Sequence, residues 1–81
     1  MITIYEIKNA TSAIELAELV ENAAAERNCE LDSGMTYKEQ AEFFAGEAPK
    51  SGNGQKYMEQ LVEILECACT KWWELETLSA Q

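Results

Sequence analysis

Residues able to make and break bonds are sparse in this sequence. The 81 residues include no histidine, so Ser-His and Cys-His nucleophile pairs and the usual zinc-ligand sets have no members. Cys67 and Cys69 stand two apart in a segment of helical pattern. They therefore point about 200° from each other and can neither pair nor share a metal. With Cys29 they read as free thiols of a reducing compartment, an intermolecular bridge through Cys29 or Cys67 being the alternative. Residues 48–54 contain Gly, Lys and Ser, but not in phosphate-loop order and not after a strand. Residues 32–43 lack the central Gly and terminal Glu of a calcium loop. The carboxylates fall on helix faces open to water, where nothing raises a pKa for acid/base work. The residues point to no enzyme, no cofactor and no bound metal.

Charge is the remaining chemistry. Fifteen acidic residues face six basic ones, giving a formal charge of −9, and fourteen of the fifteen are Glu. Glu keeps most of its rotamer freedom in a helix. The sign repels nucleic-acid phosphates and anionic lipids and favours a basic protein or protein complex as partner, with no direct nucleic acid and no membrane. Glu59, Glu63, Glu66 and Glu74 fall within an arc of about 80° on one helix. Lys56 sits at one end of this row and Lys71 towards its margin, so pairing along the helix neutralises it poorly. Glu15, Glu18 and Glu26, with Asn22, make a second row on an earlier helix. Any one of these Glu residues is ordinary on a solvated helix face. The imbalance of the whole chain is what points to an acidic binding surface.

Trp72 and Trp73 cannot both face a core, because helical neighbours diverge by about 100°. Trp72 belongs with Leu61 and Leu65. Trp73 then lies at the edge of the apolar arc beside the acidic row, where an aromatic can anchor an interface. Its other reading is packing under the N-terminal segment or the first helix. Tyr37 and Tyr57 are open between the same two roles.

The elements that must hold these side chains are mostly helical. A hydrophobic fraction of 47% is that of a folding chain. One domain of this size buries only about 60–65% of its unfolded surface, so the core is thin. The expected fold is a mostly α, small three-helix domain spanning residues 1–81, with a short N-terminal β-strand candidate. Residues 1–10 form the extended segment, and Ile2, Ile4, Tyr5 and Ile7 supply its strand-favouring types. Such a strand would pair with residues 29–31 or with its own copy in a dimer; failing both, it would not form. Ser12 and Glu15 begin a helix over 12–28, with Ala13, Leu16, Leu19, Val20, Ala23 and Ala24 on one side. Asp32, Ser33 and Gly34 are turn chemistry. Thr36 and Glu39 begin a helix over 36–46, with Ala41, Phe43 and Phe44 as its apolar side. Residues 46–54 form a Gly/Pro loop and the main hinge candidate. The long helix runs over 55–78, with an apolar arc wider than two short helices would cover. That excess points to a homodimer seam or a partner surface.

Residues 36–61 also echo a helix-turn-helix DNA reader. The loop is too long for that motif, though, and Lys50 and Lys56 are the main bases the reading helix would offer. No segment has the pattern of a signal peptide or a membrane span, so a soluble, cytoplasmic protein is expected. The triplet at Asn9 fits a glycosylation sequon, a chance match in that setting.

With its acidic rows at Glu15/Glu18/Glu26 and Glu59/Glu63/Glu66/Glu74, a charge of −9 and no catalytic set, the chain resembles the small phage-encoded inhibitors of the anti-CRISPR and DNA-mimic type. The likeness covers the whole-chain profile and no motif, so no residue role carries over from it. It implies an inhibitor that blocks a nucleic-acid-processing or host-defence complex, a CRISPR-type effector for example, in the host cytoplasm. A small homodimeric structural or regulatory protein is the alternative.

Overall fold

The computed structural model describes residues 1–47 and 53–79. They form four helices, α1 (Ile4–Lys8), α2 (Ala13–Glu26), α3 (Tyr37–Glu47) and α4 (Asn53–Ser79), with no strand among the described residues. The helices expected over 12–28, 36–46 and 55–78 are present with small shifts of boundary. The hinge expected within 46–54 falls largely on residues 48–52, outside the described residues.

The N-terminal segment differs from expectation: it is α1, a fourth helix. β-Branched side chains favour a pleated surface, but a strand without a partner leaves its amides and carbonyls unpaired. Here they are satisfied locally. Thr3 Oγ1 accepts the Tyr5 N–H at 3.3 Å and the Glu6 carboxylate accepts the Thr3 N–H at 2.8 Å, closing a capping box. Ile7 and Ala10 then enter the core.

Ser12 Oγ accepts the Glu15 N–H at 3.1 Å. The Glu15 carboxylate turns instead to Thr11 Oγ1, also at 3.1 Å. α2 stops at Asn28, whose φ of 59° is left-handed. Asn tolerates that region, and the Asn28 and Cys29 amides fold back onto Ala25 and Ala24 carbonyls at 3.0 and 2.9 Å, a Schellman end. Arg27, only 6% exposed, donates to the Ala23 and Ile2 carbonyls, both at 2.9 Å. The N-terminal segment is thereby fastened to the end of α2.

Asp32 accepts the Gly34 N–H at 2.8 Å, making the expected turn. Buried Gln40 of α3 accepts the Asp32 N–H at 2.9 Å, anchoring the loop. Thr36 and Glu39 exchange bonds of 3.0 and 3.1 Å as a full capping box.

α4 packs against all three other helices. Leu61, Ile64, Leu65 and Ala68 meet Leu16, Val20 and Ala23 of α2, Ile7 of α1 and Phe44 of α3 in one buried cluster. Spacings of three and four put these residues on one face. At 27 residues α4 is the longest element, and a rise of ~1.5 Å per residue makes it about 40 Å long. It sets the long dimension of a 45 × 23 × 16 Å molecule. α2 and α3, about 21 and 16 Å by the same rise, cannot cover it. The C-terminal turns of α4 consequently overhang, with Leu78 exposed. Ala13 and Phe43, expected on buried faces, are also exposed.

Candidate binding surface

The outer face of α4 carries the expected row. Glu59, Glu63, Glu66 and Glu74 are all exposed, opposite Leu61, Leu65 and Ala68. Glu59 accepts from Gln55 Nε2 at 3.0 Å, and Glu74 pairs with Lys71 at 3.5 Å. Glu63, Glu66 and Glu74 border a shallow depression shared with Lys71 and with Lys8 of α1. Lys8 is a base that helix-wheel reasoning on α4 could not supply. Among the described residues Glu59, Glu63 and Glu66 make no ion pair.

The row on α2 is differently placed. Glu18 is exposed, but Glu15 is half-buried and held by Thr11. Glu26 accepts the Ile2 N–H at 2.8 Å and lies 3.9 Å from the N-terminal ammonium and 3.8 Å from Arg27. Its charge is engaged in clamping the N-terminus. Because the buried faces of α2 and α4 contribute to one cluster, the rows opposite those faces look outward in divergent directions.

Trp73 is 63% exposed and Trp72, assigned to the core by its position on the wheel, is 37% exposed. Trp72 does point along the core direction, yet neither α2 nor α3 closes over it. The two indoles meet edge to face, with centroids 5.4 Å apart and planes at 80°. They border a groove of about 600 Å³ with Tyr37 at the start of α3, Ala17 and Glu21 of α2, and Leu31 of the connecting loop. Burial, and then the negative charge of Glu21, hold the Tyr37 hydroxyl above its ordinary pKa. The sequence carried a trace of this groove in the excess width of the apolar arc of α4. Glu21 lies on the other flank of α2 from Glu15 and Glu26, outside the row that helical spacing picks out.

No helix among the described residues is long and apolar enough to cross a membrane. Among the same residues no three His, Cys, Asp or Glu are grouped to hold a metal ion. Compared with protein-family models, with curated proteins and with solved structures, the chain matches none.

Proposed function

We propose that the protein is a non-enzymatic binding protein whose acidic outer face of α4 docks on a basic protein surface, in the manner of an inhibitor of a nucleic-acid-processing or host-defence complex such as a CRISPR-type effector. One observation carries the reading: Glu59, Glu63 and Glu66 lie exposed along a single face without an ion pair among the described residues, beside a largely exposed Trp73. Spacings of three and four residues give one charge per about 4.5–6 Å of helix axis. A single DNA strand carries one per about 3.4 Å. The row is thus a sparser line of charge than a phosphate strand, and Thr70 interrupts it before Glu74. It imitates a strand only over residues 59–66. Long-range charge would steer the encounter and Trp73 would anchor it.

The test is capture from a host-cell lysate by the wild type and by the variant Glu59→Lys, Glu63→Lys, Glu66→Lys, with identification by mass spectrometry. The wild type should retain basic nucleic-acid-binding proteins at low salt, and the variant should lose them. Capture indifferent both to the reversal and to salt would remove the electrostatic mechanism.

A second reading draws on the overhang of α4. Trp72, Trp73 and Leu78 are exposed together at its C-terminal end, which suits a seam between two copies. Sedimentation at increasing concentration separates the two readings: a stable dimer that captures nothing favours the second. A duplex-DNA reader gains no support, since α4 would turn Glu59, Glu63 and Glu66 towards phosphates.

A further inference from the structure

The groove beside the acidic face has a chemistry of its own. Trp72 and Trp73 stand with planes at 80°, so their faces look in nearly perpendicular directions, and Tyr37 adds a third aromatic border from α3. Glu21 and Asp32 bring carboxylates to the same space. Neither makes an ion pair among the described residues, although Asp32 accepts the Gly34 N–H. An apolar occupant would strip both carboxylates of water without replacing it, which costs free energy. A cation replaces that water and is also attracted by the negative face of an indole ring. Guanidinium is flat, weakly hydrated and able to stack, whereas ammonium holds its water more firmly. A space of about 600 Å³ exceeds one side chain and leaves room for the segment bearing it.

We propose that this groove takes an arginine side chain from a basic segment of a protein partner, the guanidinium stacking on the Trp72–Trp73 walls with Glu21 as its counter-ion. This deepens the acidic-surface reading and rests on it. Trp73 joins the two places: it borders the groove and also, with Thr70 and Glu74, a shallow hollow on the outer side of α4. Lys38 is the base on the groove's border and opposes the occupant.

Hexa-arginine and hexa-lysine peptides, titrated calorimetrically at low ionic strength, provide the test. The wild type should bind the arginine peptide about three- to tenfold more tightly than the lysine peptide, the scale of a cation–π contact. Glu21→Gln, an exposed change with no burden on folding, and Trp72→Leu, checked for retained helicity, should each abolish that preference. Lys38→Ala should tighten both peptides. Equal affinity of the wild type for the two peptides overturns the inference, as does a preference untouched by Glu21→Gln and Trp72→Leu. Reversal of Glu59, Glu63 and Glu66 should weaken both peptides and keep their ratio. Where reversal weakens neither, the acidic-face reading fails while the arginine preference still stands. Binding of neither peptide ends both.

Discussion

At the residue scale, the side chains with the largest structural consequence are ones whose roles lie outside their own helix. Arg27 joins Ala23 and Ile2, residues far apart in the chain, through two bonds of 2.9 Å. Its buried Nε has no hydrogen-bond partner among the described residues, which offsets part of the gain. Arg27→Met keeps the apolar stem but leaves two carbonyls without their donors. It should cost about 1–3 kcal/mol in denaturant unfolding and release the N-terminal segment to faster amide exchange. Tyr37 gives a pH prediction. Its folded pKa is raised above the ordinary 10.0, by burial first and by Glu21 second. The neutral form is therefore favoured in the fold, and the associated stability is present below that ordinary value and lost as pH rises through the folded value. Thermal melts should fall less steeply above about pH 10 in Tyr37→Phe than in the wild type. Equal slopes would show that burial of the hydroxyl has no weight in the fold.

At the scale of elements, capping decided more than propensity did. The segment expected as a strand carries Thr3 and Glu6 at capping-box spacing, the same signature that starts α3 at Thr36 and Glu39. Ile2, Ile4 and Ile7 are residues of strand propensity. That propensity is weak where the described residues offer no second strand to pair with. Both caps have a shared acid response. The Glu6 carboxyl is held low by its bonds to Thr3, and the Glu39 carboxyl by its bonds to Thr36. With folded pKa values depressed, their contribution is present above the ordinary carboxylate range and lost as pH falls through the folded values. Helicity measured by circular dichroism should thus decline on acidification, and Glu6→Gln with Glu39→Gln should show a smaller decline over the same range. An undiminished decline would assign the acid response to other carboxylates.

For the whole molecule, charge and shape act together. A net charge of −9 on 81 residues makes the compact state repel itself, and salt screens that repulsion within a Debye length of about 10 Å at 0.1 M. Raising ionic strength from about 10 mM to about 0.15 M should raise the melting temperature by a few degrees, as about 1 kcal/mol would for a domain of this size. A melting temperature that falls with salt would mean that ion pairs such as Lys71–Glu74 outweigh the repulsion. The same screening should weaken the proposed docking on a basic partner, so on that proposal stability and affinity move oppositely with salt.

The sequence by itself determined the helical class, the places where α2 and α3 start, and the exposed row Glu59, Glu63, Glu66 and Glu74. Each follows from spacing along one helix or from a cap within four residues, which are local physics. Tertiary structure alone decided the rest. It spent Glu26 on the N-terminus, turned the α2 row away from the α4 row, and brought Lys8 to the acidic face. It also left Trp72 partly exposed, because α2 and α3 flank it across a groove without closing over it. These outcomes depend on the relative lengths and packing angles of helices distant in sequence, and periodicity within a single helix carries no information about its neighbours. The aromatic groove with Glu21 arises at that level, where α2, the start of α3 and the C-terminal half of α4 meet.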